Sequence, residues 1–272
     1  MELQPNTIEG LKWGLKNFDG IETDLRLTKD GRLAIHHDPI LKSGEVVAQL
    51  TLQELMDKGI PSFEAFVSDE EVQRFAKNGK RFLFELKPNC EGKKAVCKDI
   101  AETLAKSFRS SLEETGFPTE NITVISFQED LLKPLVEEFN CAPLLPNLNE
   151  CAVKEISGFT YVKLLGKFFS RRLPRILKNA RKAGYSGVYT AREYFVGPLS
   201  RYHGSLKKKL SIAENLGLEL GTNLGNAEIE PEYPQLLRVS DDLKKFPRYA
   251  KAGEKPIIAH RGTGTKGIKL DL

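Results

Sequence analysis

The chain has 272 residues, 40% hydrophobic and 29% charged, enough apolar material for the core of one large domain and too much for extensive disorder. Its 41 basic and 37 acidic residues leave a net charge of +4 and a pI near 8.7, a mild excess that suits anionic ligands. No tract has the character of a nucleic-acid reader, so a nucleic-acid partner is not expected.

Asn6 or Thr7 caps a predicted helix whose apolar residues Ile8, Leu11, Leu15 and Phe18 recur at helical spacing up to about Gly20. Next, Ile21, Thr23, Leu25 and Leu27 alternate with Glu22, Asp24, Arg26 and Thr28. That is the period of a strand, so Glu22 and Asp24 project from one face. Lys29-Asp30-Gly31 signals a hairpin, and the returning limb through Leu33 and Ile35 ends in His36-His37-Asp38. A two-residue turn sets Asp24 opposite His37; a three-residue turn sets it opposite His36. Paired acids with an imidazole beside them suit a hard divalent cation and a proton-transfer group. A surface hairpin of solvated charges is the plainer alternative.

Thr51 caps a short helix at 52–56, and Pro61-Ser62-Phe63 opens another extending to about Lys77. In the strand Arg81–Lys87, Phe82, Phe84 and Leu86 share one face, while Leu83, Glu85 and Lys87 share the other. Helical spacing runs from Lys94 to about Thr115, and Ile122–Phe127 is short and β-branched, hence a buried strand. Helices near 131–138, 173–183 and 206–216 alternate with strands at 142–146, 187–190, 218–223 and 236–240. The last strand, Pro256–Gly262, ends in Ala259-His260-Arg261-Gly262. Eight strands alternating with helices predict a single α/β domain over 1–272, a (β/α)8 TIM barrel, whose chemistry gathers at the C-terminal strand ends.

Cys90, Cys97, Cys141 and Cys151 lack CxxC spacing, which argues against a zinc site and fits free thiols in a reducing compartment. No signal-peptide pattern opens the chain and no apolar run approaches the ~20 residues of a membrane span, so a cytoplasmic location is expected. Between Lys163 and Lys182, eight basic residues are interleaved with Phe168, Phe169, Leu173 and Ile176 and no acid. This stretch is either a solvated basic face or a peripheral contact with an anionic membrane.

Several motifs together resemble the glycerophosphodiester phosphodiesterases and their sphingomyelinase D relatives. They are Ile21-Glu22-Thr23-Asp24 with Thr28-Lys29-Asp30-Gly31 and His37-Asp38, Leu50–Leu55 followed by Ile60–Glu64, Phe84-Glu85-Leu86-Lys87, Ser126-Phe127 and Ala259-His260-Arg261-Gly262. The last of these opens the usual family sequence but closes this chain, so the resemblance implies a circular permutation that makes the first barrel strand C-terminal. Pro5 stands where the family has a glutamate, and the single tryptophan, Trp13, is not on the seventh strand. About forty residues separate Asp38 from Phe82, too few for the insertion common in bacterial members, and a broad, open mouth is implied.

By this resemblance Glu22, Asp24 and Glu85 hold one Mg2+ or Ca2+. Arg261 and Lys87 bind the phosphate, and His260 and His37 act as an acid/base pair with His37 as the acid. The implied reaction is metal-dependent hydrolysis of a glycerophosphodiester to glycerol 3-phosphate and an alcohol. Two rivals stand beside it. One is a phospholipase D acting on lysophospholipid or sphingomyelin, passing through a cyclic phosphate. The other is an inactive barrel that binds phosphorylated ligands.

Overall fold

A computed structural model describes residues 2–88, 94–145, 173–191, 194–195, 200, 205–225, 234–241 and 250–269. Its elements begin with β1 (Glu2–Leu3), α1 (Ile8–Asn17), β2 (Gly20–Leu27) and β3 (Leu33–Ile35). Then come α2 (Leu52–Met56), α3 (Phe63–Ser68), α4 (Glu70–Lys77), β4 (Arg81–Leu86) and α5 (Lys94–Thr115). The second half supplies β5 (Ile122–Ser126), β6 (Asn140–Leu145), α6 (Leu173–Lys182), β7 (Gly187–Ala191) and α7 (Leu206–Asn215). It closes with β8 (Glu219–Gly225), β9 (Leu237–Ser240), β10 (Ile257–Ala259) and β11 (Ile268–Lys269).

Eight parallel strands run β2-β4-β5-β6-β7-β8-β9-β10, and β10 pairs back onto β2, so the sheet closes into the expected (β/α)8 TIM barrel. All eight predicted strands are present, seven within two residues of their expected limits, while the last ends at Ala259, three residues short of Gly262, because the chain turns at His260-Arg261-Gly262. Alternation decides what faces where. Leu83, Ile125, Ala142, Leu144, Tyr189, Leu237, Val239 and Ile258 fill the barrel interior. Phe82, Phe84, Leu86 and Val124 face outward to pack against the helices. At the N-terminal ends of the strands, Arg81 pairs with Glu219 at 3.0 Å and the Tyr189 hydroxyl donates to Glu219 Oε1 at 2.7 Å. These bonds satisfy the polar groups buried in the barrel floor.

The hairpin resolves the open register. Leu25, Arg26 and Leu27 lie opposite Ile35, Ala34 and Leu33, with Gly31 at φ +72° in a three-residue turn. That spacing sets Asp24 against His36, whose backbone N–H donates to the Asp24 carbonyl at 3.0 Å.

Thr7 is the cap of α1, its hydroxyl accepting from Gly10 N at 3.1 Å. Thr51 and Glu54 form a reciprocal capping box on α2. Two helical expectations need correction. The helix expected from Pro61 to about Lys77 is broken at Asp69, which turns extended and accepts from Glu71 N and Val72 N, ending α3 and starting α4. The helix expected at 131–138 is a pair of 3-10 turns, Glu129–Leu131 and Lys133–Leu135, the second containing Pro134, which has no N–H to give.

Cys141 is buried and unpaired, while the side chains of Cys90, Cys97 and Cys151 lie outside the described residues. Residues 163–172 of the basic stretch also lie outside them; 173–182 form α6. Among the described residues no helix is long and apolar enough to cross a membrane.

Candidate active site

Residues gather at the C-terminal ends of β2, β4 and β10 because register aligns them. Asp24 is level with Glu85 on β4, and Ala259 is level with Ile21, which brings His260 beside Glu22. Glu22, Asp24 and Glu85 each place one carboxylate oxygen within 4.8 Å of the others. All three are buried, at 1%, 0% and 5% exposure; Glu22 Oε1 accepts no hydrogen bond, and Asp24 Oδ1 meets the Lys87 ammonium as an ion pair. Buried carboxylates in such a cluster resist ionisation together. Burial, reinforced by Asp24 and Glu85, pushes the Glu22 carboxyl well above the ordinary carboxylate range. Burial likewise raises Glu85 to about 7 against the pull of Lys87.

Asp24 is buried too, but Lys87, His37, Arg261 and His260 surround it and overcome the cost, drawing it down to about 2. Lys87 Nζ lies 2.5 Å from Glu85 Oε1 and 3.1 Å from Asp24 Oδ1. Burial works against its ammonium, yet the two acids outweigh burial and raise its pKa. Arg261 takes a left-handed backbone, φ +49°. Its N–H donates to Glu22 Oε2 at 3.2 Å and its guanidinium Nε lies 3.2 Å from Asp24 Oδ2.

The two candidate histidines come from different loops. His260 Nε2 stands 3.6 Å from Glu22 Oε2, and its Nδ1 lies 2.9 Å from Asp241 Oδ1. Burial opposes the charge on Asp241, but bonds from His260 and Thr265 hold its carboxyl far below the usual range. His37 Nδ1 lies 2.7 Å from Asp38 Oδ1, and the Arg26 guanidinium fixes the His37 backbone by donating to its carbonyl through Nε at 2.9 Å and Nη2 at 2.6 Å. Burial lowers the His37 pKa despite the acids nearby. Thus all seven sequence-predicted residues, Glu22, Asp24, His37, Glu85, Lys87, His260 and Arg261, meet at one end of the barrel.

Two residues at this site escaped sequence reasoning. Asn6, buried at φ +57°, donates Nδ2 to Asp24 Oδ2 at 2.8 Å and accepts from Thr23 Oγ1 at 2.8 Å. Asp241 stands one residue past β9. Its only sequence signal is an acid following a short apolar strand.

Acids, cationic side chains and imidazoles meeting at one mouth suit an anionic substrate, and the class of protein is that of the phosphoric diester hydrolases. The model of the glycerophosphoryl diester phosphodiesterase family matches residues 2–196, and the chain belongs to that family. His260 and Arg261 lie beyond the matched residues, and β10 carries them to the site.

Solved structures share the fold. A glycerophosphodiester phosphodiesterase from Parabacteroides distasonis aligns over 94% of this chain and 85% of its own, with TM-score 0.58 and 17% identity. An Oleispira antarctica phosphodiesterase in complex with the product sn-glycerol-3-phosphate aligns over 96% and 89%, with TM-score 0.57 and 16% identity. The Thermotoga maritima glycerophosphodiester phosphodiesterase aligns over 94% and 88%, with TM-score 0.54 and 15% identity. Among curated proteins none matches significantly.

Proposed function

We propose that this chain is a divalent-cation-dependent phosphodiesterase that hydrolyses a glycerophosphodiester to glycerol 3-phosphate and an alcohol, with His260 and His37 as its acid/base pair. The observation that carries this reading is the buried cluster of Glu22, Asp24 and Glu85, whose oxygens lie within 4.8 Å of one another and include Glu22 Oε1, which accepts no hydrogen bond. An all-carboxylate donor set is hard and anionic, and it fits Mg2+ or Ca2+ held by these three residues. When bound, the cation supplies Lewis-acid neutralisation of a phosphodiester oxygen.

The chain's own residues do the rest. Arg261 offers a planar fork and Lys87 a point charge to the remaining phosphoryl oxygens, favouring the charge that builds up in the transition state. His260 Nε2 accepts the proton of the attacking water as its oxygen bonds to phosphorus. His37 gives a proton to the departing alkoxide as the phosphorus–oxygen ester bond breaks, since an alkoxide leaves poorly unprotonated. The Oleispira antarctica neighbour, with sn-glycerol-3-phosphate bound, supports glycerol 3-phosphate as the product retained here.

Three finer readings accompany this one. The position of His260-Arg261 directly after the last barrel strand, which pairs with β2, supports a circular permutation relative to the family order. A phospholipase D reaction on lysophospholipid or sphingomyelin uses the same groups, with a substrate hydroxyl attacking first. Finally, α6 exposes Arg175, Lys178, Arg181 and Lys182, which supports peripheral contact with an anionic membrane.

Assays on glycerophosphocholine and lysophosphatidylcholine, with and without EDTA, separate these readings. Release of glycerol 3-phosphate from glycerophosphocholine, abolished by EDTA, is expected. Cleavage of lysophosphatidylcholine alone replaces this reading with the phospholipase D one, and EDTA-resistant turnover removes the metal.

A further inference from the structure

We propose that Asp241 and Thr265 form a clamp that fixes His260 in one tautomer, proton on Nδ1 and lone pair on Nε2, making both of them positioning residues for the reaction. The inference rests on the acid/base reading of His260 given above.

Asp241 Oδ1 lies 2.9 Å from His260 Nδ1 and accepts from Thr265 twice, from its backbone N–H at 2.5 Å and from its hydroxyl at 2.6 Å. A carboxylate oxygen meeting three polar neighbours is an acceptor towards each of them, so the imidazole nitrogen facing it must carry hydrogen. In neutral His260 the free lone pair is then on Nε2, the nitrogen turned towards the site 3.6 Å from Glu22 Oε2. A general base needs that lone pair at the reacting side, and the opposite tautomer would present an N–H there instead.

The backbone holds the same arrangement. His260 N donates to the Ser240 carbonyl at 2.9 Å, and Gly264 N donates to the His260 carbonyl at 2.7 Å. Thr265 lies between β10 and β11, and β11 pairs antiparallel with β1, so the jaw that grips Asp241 is anchored outside the barrel. The hydroxyl of Thr265 matters separately from its N–H: it is a second donor to the same oxygen, turning Oδ1 towards the imidazole.

The test uses the whole chain with 15N-labelled histidine. In chelator, with His260→Ala to assign the signal, wild type is expected to show a protonated Nδ1 and a bare Nε2 on His260. Asp241→Ala is expected to mix the tautomers and to lower kcat about 10- to 100-fold, with KM within about twofold and melting temperature held. Thr265→Val is expected to lose an intermediate amount and Thr265→Ser to recover most of it.

An unchanged His260 nitrogen pattern in Asp241→Ala overturns the clamp. A loss of activity matched by a fall in melting temperature reduces Asp241 to a structural residue and overturns it equally. If wild type cleaves no glycerophosphodiester, the functional reading fails while the nitrogen pattern still decides the clamp.

Discussion

Asn6 holds Asp24: its side-chain amide donates to Asp24 Oδ2 at 2.8 Å from a backbone at φ +57°. Asp24 Oδ1 is left facing Lys87 and the other acids. Removing the amide strands two buried partners, Asp24 and Thr23, at about 1–3 kcal/mol. Asn6→Ala adds left-handed strain of about 1–2 kcal/mol, whereas Asn6→Gly adds none. Urea unfolding should therefore rank wild type above Asn6→Gly above Asn6→Ala, with cation affinity reduced in both variants by calorimetry. Equal stability of the two variants would show that the backbone at residue 6 carries no strain.

Removing the cation should expose repulsion among the acids. Without metal, folded Glu85 keeps its proton up to about 7 while the unfolded side chain releases it near 4.5. The folded state thus binds the extra proton, and stability falls as pH rises through that window. Asp24 acts with opposite sign, its advantage being lost only as pH falls from 3.8 through about 2, below the window. Melting temperatures in EDTA should decline between pH 4.5 and 7, a fall to which the raised Glu22 carboxyl adds with the same sign, and Glu85→Gln should make the decline shallower while abolishing activity. The same slope in Glu85→Gln would contradict the placement of that charge.

The histidines should separate by role. His37→Ala and His260→Ala should each cost about 10²- to 10⁴-fold in kcat. His36→Ala should cost far less, because what His36 gives to Asp24 is a backbone N–H, retained in alanine. Steady-state kinetics on glycerophosphocholine decide it. Were His36→Ala the inactive variant, the proton donor would sit on the wrong member of the pair.

Sedimentation with anionic and neutral vesicles tests the basic face of α6. Glutamine at Arg175, Lys178, Arg181 and Lys182 together should weaken binding to anionic vesicles, at about 1 kcal/mol per charge near the surface. Equal, weak binding of wild type to both vesicle types would leave α6 a solvated helix.

Much of the barrel and its acids was legible in the sequence because both follow from period-two alternation. Glu22 and Asp24 share a face with no knowledge of the fold, and the parallel register then lines Asp24 up with Glu85. What escaped depends on distant partners. Asn6 and Thr7 are both good helix caps by type, and Thr7 is the one that caps; the positive φ of Asn6 and its bond to Asp24 arise only once α1 sits against β2. Asp241 gains its role from Thr265 and His260 across a loop. The break at Asp69 was readable from its type and the acids following it, a capping signal that helical periodicity overrode.

Gly10 and Gly14 form a bare track on α1 where the turn after His260-Arg261 comes to rest. A Cβ at Gly14 would meet the Gly262 carbonyl oxygen at 2.7 Å, and one at Gly262, φ +76°, would meet the Gly10 carbonyl oxygen at 2.6 Å. Single methyl groups placed there push the loop bearing His260 and Arg261 off its seat while leaving every polar group of the mouth chemically intact. In a screen of random variants, lesions at these three glycines would register as lost turnover with the catalytic inventory complete. The α1 surface that seats this turn is therefore a mutational target in its own right, through packing alone.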